Sequence, residues 1–386
     1  MNLSIDKHNW KKVCLGDVAF EYSKRINNPN ESDYDRFVGS NNIGQWDFRI
    51  KSWESTDSVT SAMKLFEPND YLLVRRSLYA SDFRERAPRA DFYGVCSGDI
   101  LTIKENPDFL SDGFLIGVLN SPDLWKYVVA NASGSITRRI KWKDLANYQF
   151  LLPPKDQQAR LASLLWALDV VMEREREMLG GLERTYQVLV DNLFTINNPN
   201  WSYIPLSKIS KINNKSLGSS TESNFRFKYL DIASIIEPKI IGDLEWMNFE
   251  ESPSRARRVV SDNSIVLSLV RPYHKSFVII EDSSNIIAST GTGVIDVFDK
   301  HNPHFIFHQF FSSRFSKFYE IRMRGANYPS ITADDLKEFL IAIPENMNIE
   351  DIEAEKLKNF DNSILKIKTK LQTSLSMQKS IINQIF

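Results

Sequence analysis

The feature that most restricts how this chain can fold is that it repeats itself. At an offset near 192 residues, Trp10-x2-Val13-x-Leu15 falls on Trp201-x2-Ile204-x-Leu206, and Phe37-Val38 falls near Tyr229-Leu230. Ile43 falls on Ile235, Tyr71–Val74 on Ile265–Ser268, and Leu151-Leu152-Pro153 on Ala342-Ile343-Pro344. Asp169 meets Asp361, and Asp191–Phe194 meets Asn383–Phe386. Identity is low, yet the order holds throughout. A repeat this long is no solenoid unit, so it reads as a duplicated domain with a duplicated tail.

The first part of each repeat holds short β-branched and aromatic runs broken by turn residues: Tyr71–Val74, Ile100–Ile103, Ile265–Val270, Phe277–Ile280 and Val294–Phe298. Helix-like stretches, Phe114–Val128 and Phe305–Tyr319, lie between them. The pattern predicts a mixed α/β (α+β) domain at 1–153 and again at 198–346.

The tail is a long helix, at 154–197 and again at 347–386. The first starts after Pro153-Pro154, with Asp156 expected as its N-cap. Leu161, Leu165, Leu168, Met172, Glu175, Leu179, Leu182, Tyr186, Leu189 and Leu193 alternate spacings of four and three. That is a heptad seam. Shifted by 192, the seam continues through Leu357, Phe360, Ile364, Ile367, Leu371, Ile381 and Ile385. At 1.5 Å per residue each helix is roughly 55 Å long. Residues 156–194 carry a net −3 and residues 347–386 a net +1, which favours pairing the helices with each other. Domain two lies between them, so an antiparallel coiled coil is expected. Gly180-Gly181 costs the first helix roughly 2 kcal/mol relative to alanine. The unbroken heptads predict that the helix continues there, with a bend or a close helix approach; a break is the competing reading.

Composition excludes several classes. No run of eighteen apolar residues is present, so no membrane span is expected. Met1–Lys12 is polar, unlike a signal peptide. The two cysteines, Cys14 and Cys96, form neither a disulfide framework nor a zinc motif, which fits a reducing cytoplasm. There is no (Asn/Asp)-Pro-Pro-(Tyr/Phe) methylation signature and no Walker A motif. Pro122-Asp123-Leu124-Trp125-Lys126 lacks the second acid of a nuclease metal site. His301, His304 and His308 share one helical spacing, but no carboxylate stands at ligand spacing, so a partly exposed helix face is expected rather than a metal site. Ser289-Thr290-Gly291-Thr292-Gly293 lacks the spacing and lysine of a phosphate loop and reads as a turn between strands.

What remains is basic. Ser133-Gly134-Ser135-Ile136-Thr137-Arg138-Arg139-Ile140-Lys141-Trp142-Lys143 has four cations and no acid. Arg322-Met323-Arg324-Gly325-Ala326-Asn327-Tyr328-Pro329-Ser330-Ile331-Thr332 holds the same place in the second repeat. Glycine lets a backbone approach phosphate; hydroxyls and arginines bond phosphate oxygens and base edges. Arg75-Arg76, Arg84/Arg86/Arg89, Arg255/Arg257/Arg258 and Arg271, Tyr273 and Lys275 are further clusters. Any one cluster alone reads as a solvated face. Duplication of the glycine-containing loop is what points to DNA. The chain's net charge is −1, so positive charge must be concentrated locally or shared with partners.

With two dissimilar globular domains, each followed by a long helix, the chain resembles the specificity subunit of type I restriction-modification systems. The local signatures are Trp10–Leu15 and Trp201–Leu206, the stretch from Gly134 through Leu145 to Leu152-Pro153-Pro154 and Asp156-Gln157-Gln158, and the helix carrying Asp169. The second junction departs from the pattern: Pro344-Glu345 is followed by Ile349-Glu350 with no glutamine. The resemblance implies two target-recognition domains on a pseudo-twofold frame, each reading half of a bipartite, asymmetric double-stranded DNA site. It implies helices that set the gap and dock two methylation subunits, which bind S-adenosylmethionine and flip the target adenine. Motor-nuclease subunits would use ATP and magnesium. The chain itself would hold no cofactor or metal and catalyse nothing. A fused restriction-methylation enzyme and a coiled-coil scaffold without a DNA role are the rivals.

Overall fold

In a computed structural model, which describes residues 5–77, 84–135, 137–195, 201–236, 239–240 and 242–386, long helices run from Lys155 to Leu193 and from Asn348 to Ile385. The chain forms two compact units: Met1–Glu177 with Thr369–Phe386, and Met178–Lys368. Each unit is therefore one globular domain together with the start of one helix and the end of the other.

In the first unit Lys11–Cys14 pairs antiparallel with Gln149–Leu152, tying the beginning of the domain to the strand that leads into the helix. A three-stranded sheet has the order Ala19–Glu21, Ile100–Glu105, Tyr71–Val74. A second sheet has the order Arg25–Ile26, Met63–Phe66, Gly94–Cys96, Arg36–Val38, Glu54–Ser55, with one parallel pair at Phe37 and Val95. The second unit repeats this plan. Trp201–Pro205 pairs with Leu340–Pro344. One sheet runs Ser210–Ile212, Thr292–Val297, Ser264–Ser268, Phe277–Ile280, and the other runs Trp246–Asn248, Arg226–Leu230, Ile286–Ser289, Ala256–Val259. Its parallel pair, Tyr229 and Ile287, lies 192 residues after Phe37 and Val95. The mixed α/β class and the internal repeat read from the sequence hold.

The helix-like run Phe114–Val128 is two helices, Leu115–Leu119 and Pro122–Asn131. Proline cannot continue the first, and Ser121 caps the second by accepting from the Leu124 N–H. The second repeat also breaks into two helices, Pro303–Gln309 and Ser313–Arg322, with Ser312 as the cap but no proline at the break. Asp123 and Lys126 form an i,i+3 ion pair on the surface.

The seam residues are buried where they meet the domains. In the first unit Leu165, Met172 and Ile381 are buried, and Leu161, Leu168 and Leu371 are half-buried. In the second, Leu357, Ile364 and Ile367 are buried, with Phe360, Leu179, Leu182 and Leu189 half-buried. There the helix segments run antiparallel: Tyr186 lies 6.4 Å from Phe360 by ring centroids, and Glu183 lies 3.1 Å from Lys368. The two units use opposite helix ends for one role. Phe386 packs edge-on against Phe114, at 5.7 Å, in the first; Phe194 packs edge-on against Phe305, at 5.3 Å, in the second. Phe305 lies 191 residues after Phe114 and Phe194 lies 192 before Phe386, so the same aromatic contact is built twice from exchanged helices.

The helix continuity expected at Gly180-Gly181 holds, while a close approach there and the Asp156 cap need correction. The helix is continuous through Gly180-Gly181, and a Cβ at Gly181 would meet nothing within 4 Å among the described residues, so no close approach requires the glycine. Asp156 is not the N-cap. The Pro154 carbonyl accepts from the N–H groups of Gln157 and Gln158, which places Asp156 in the first turn, where its charge favours the helix dipole. No described helix is long and apolar enough to cross a membrane.

Candidate nucleic-acid interface

The two cationic loops fold as the same hairpin. In the first unit the helix Pro122–Asn131 ends at Ala132, whose N–H bonds the Val128 carbonyl. Ser133 and Arg139 then exchange backbone hydrogen bonds of 3.0 and 2.9 Å around Gly134. Gly134 has φ +132°, and a Cβ there would stand 2.1 Å from the Thr137 carbonyl oxygen, so only glycine closes this turn. The returning strand Arg138–Arg139 pairs with Arg76–Ser77, and the Ile140 N–H bonds the Arg75 carbonyl. Ile136 lies outside the described residues.

The second unit builds this 191 residues on. Met323 closes its helix onto Tyr319, and Arg324 and Ser330 exchange two 3.0 Å bonds. Gly325 has φ +98°, with the Tyr328 carbonyl 3.1 Å from a would-be Cβ. Ser330 bridges to Val270, and the Ile331 N–H bonds the Leu269 carbonyl. Thr332 caps the following helix Ala333–Lys337, where Lys141 precedes the turn Trp142–Leu145 in the first unit.

Their electrostatics differ. In the first unit several of the expected cations are already engaged. Asp99 is 2.7 Å from Arg76 and 3.0 Å from Arg139, whose guanidinium also donates to the Thr137 hydroxyl. Partial burial pushes the Asp99 carboxyl up, but the guanidinium hydrogen bonds outweigh it and hold the group below the usual carboxylate range. Arg138 donates twice to the Ala132 carbonyl. Arg75 is half-buried. Still, Arg76 and Arg139 keep about 40% of their side chains exposed, and Ser135 and Lys141 are open to solvent. Asp99 thus aims two of these cations.

In the second unit the residue corresponding to Asp99 is Gly291. Its carbonyl accepts from the Leu269 N–H as that of Asp99 accepts from Arg75. The Ser289–Gly293 stretch is the turn between Ile286–Ser289 and Thr292–Val297. Arg271 stacks on Tyr328 at 5.0 Å and donates to the Asn327 carbonyl. Tyr328 and Tyr273 are exposed, while Lys275 is half-buried. Arg324 points outward, 3.6 Å from Asp335. Arg322 lies over Phe318 and 3.4 Å from Glu338, on the helix rather than at the hairpin tip. Asp99 is the residue that sequence reasoning missed; a lone aspartate in a turn carries no local pattern.

The histidines do not form an exposed face. His308 is buried and shares a 2.7 Å hydrogen bond with Tyr186, and burial pushes its pKa down to about 3. His301 is buried against Glu350 at 3.0 Å. This pair explains the departure at the second junction. In the first unit Gln158 is buried, accepts from the Ser111 N–H and donates to the carbonyls of Pro153 and Phe109. Glu350 takes its place and accepts from the Asn302 N–H, but a carboxylate cannot donate, so the His301 ring faces its other oxygen. Among the described residues no group of three His, Cys, Asp or Glu side chains is arranged to hold a metal.

The chain is thus one α/β domain built twice, each copy carrying a glycine-closed cationic hairpin and each seated on pieces of two long helices. Residues 200–377, within the second repeat, match the model of the Type I restriction modification DNA specificity domain. Over its whole length the chain has the fold of the S subunit of the type I restriction-modification system from M. genitalium, at 14% identity and TM-score 0.62, covering 100% of this chain and 99% of that one. It is also similar to a chain in a structure described as the basis of complex assembly and conformational transition of the type I R-M system, at 17% identity and TM-score 0.55, covering 98% and 97%. No curated protein matches.

Proposed function

We propose that this chain is the DNA-sequence-reading subunit of a type I restriction-modification complex. Each globular domain reads one half of a bipartite, asymmetric site; the helices set the gap and dock two methylation subunits, and motor-nuclease subunits complete the complex. Chemistry resides on those partners, with S-adenosylmethionine, ATP and magnesium bound there, and this chain supplies recognition. The observation that carries the reading is the duplicated hairpin. Two domains of dissimilar sequence keep one backbone turn, at Gly134 and Gly325, while presenting different side chains. That is what reading two different half-sites with one scaffold requires.

The test is DNA binding by the chain assembled with its methylation subunits. Replacing Arg138 and Arg139 with alanine leaves assembly intact, lowers DNA affinity and flattens its salt dependence. A coiled-coil scaffold would assemble and show no change in DNA affinity.

A further inference from the structure

Each unit also displays a cation-flanked tryptophan that the hairpins do not explain. In the first, Trp53 directly precedes the edge strand Glu54–Ser55 and is 45% exposed. Arg36, on the neighbouring strand, lies 4.5 Å over Trp53 and 4.6 Å over Phe92, which itself packs on Trp53 at 5.1 Å. In the second unit Trp246 opens the edge strand Trp246–Asn248 and is 46% exposed. Arg226 and Lys228 lie 5.2 and 5.3 Å over it. Arg36 and Lys228 occupy equivalent positions, because each directly precedes the residue of the parallel pair, Phe37 with Val95 and Tyr229 with Ile287.

Holding a large aromatic ring half out of the core forfeits burial worth more than an exposed cation–π contact returns. Both repeats nevertheless do so, and from different positions along the edge strand: Trp246 stands directly opposite Lys228, whereas Ser55 stands opposite Arg36 and Trp53 lies two residues before it. The charges form no close ion pair. The nearest carboxylate to Arg36 is the exposed Asp35, at 3.9 Å, and among the described residues neither Arg226 nor Lys228 has one within 4 Å, although the exposed Asp282 lies near enough to Lys228 to feel its charge. A flat apolar face beside a cation matches deoxyribose beside phosphate; a protein partner would have to bring a carboxylate for each cation. The strand carrying Arg36 also ends at the hairpin's support, since the Val38 carbonyl accepts from Ser97, two residues before the Asp99 that holds Arg76 and Arg139.

We propose that Trp53 and Trp246 are DNA-backbone contacts, each packing its indole on a deoxyribose while Arg36, or Arg226 with Lys228, bonds the adjoining phosphate. This deepens, and rests on, the DNA-reading function above. Such contacts position the duplex without reading bases, which gives them a distinct signature.

The experiment measures affinity for a duplex bearing the methylated site over a range of salt, using the full chain assembled with its methylation subunits. Trp53→Ala and Trp246→Ala each weaken binding about five- to tenfold at every salt concentration, the loss of one apolar contact, with the salt slope unchanged. Arg36→Gln lowers the slope by about one. The methylated sequence stays the same in all three. Trp53→Leu and Trp246→Leu, which keep apolar bulk without the flat face, show the same loss and guard against unfolding, checked by melting. Wild-type affinity in the tryptophan variants overturns the proposal, as does a changed methylation sequence. Loss of assembly with a folded chain overturns it too, and assigns the patch to a protein partner. If the unmodified assembly does not bind DNA, the function itself fails.

Discussion

Replacing Gly134 with alanine tests the hairpin at its tightest point. The added Cβ would stand 2.1 Å from the Thr137 carbonyl oxygen, at a φ of +132°. A carbon and an oxygen need roughly 3.2 Å, so backbone must move by about 1 Å, and the φ value lies outside the regions open to L side chains. Together these cost about 3 kcal/mol or more. The two backbone bonds between Ser133 and Arg139 contribute about 1–3 kcal/mol, no more than the strain. The turn therefore opens rather than bearing the strain. Gly134 is exposed, so the domain core is untouched. Anisotropy titration of the assembled complex against its duplex shows at least a tenfold loss for Gly134→Ala, with the melting midpoint shifted by only a few degrees. Gly325→Ala loses less, because its neighbour stands at 3.1 Å and need give only a few tenths of an ångström. Gly134→Ala binding as tightly as the unmodified complex would refute the hairpin's role in DNA contact.

Other perturbations probe the frame. Gly181→Ala raises stability by about 1 kcal/mol in chemical denaturation, since its site is helical and open. Leu357→Ala, in the core of the second unit, costs about 2–5 kcal/mol by the same assay. His308 has a folded pKa of about 3 against 6.5 in the unfolded chain, so the unfolded state binds the proton first as pH falls. Its contribution is full above pH 6.5 and is lost on acidification, by about 2 kcal/mol at pH 5. His308→Gln flattens that part of the stability profile, and an unchanged acid slope would show that the ring is not buried neutral. Asp99→Asn keeps an acceptor for the two arginines but removes the charge, which tightens DNA binding and steepens its salt dependence.

The sequence carried the architecture because duplication and heptad spacing are long-range patterns that survive low identity. Trp10 directly precedes, and Trp201 opens, equivalent strands, and the seam leucines are buried or half-buried as their spacing predicts. The hairpins were legible through their glycines, since both positive φ values demand that residue. What escaped notice depends on partners distant in sequence. Asp99 meets Arg139 across forty residues, and His301 meets Glu350 across forty-nine. His308 looked like part of an exposed face because helical spacing says nothing about which face is covered, and Tyr186, far upstream, covers it. The Asp156 cap failed because Pro154 already supplies the carbonyl that starts the helix.

The central claim is that this chain chooses the DNA sequence. The most direct measurement is single-molecule sequencing of genomic methyladenine in cells carrying the chain with its methylation subunit, compared with cells lacking only this chain. The account predicts a split motif with a fixed gap, methylated only when the chain is present. Methylation of the same motif in its absence would contradict the account and leave the chain a scaffold.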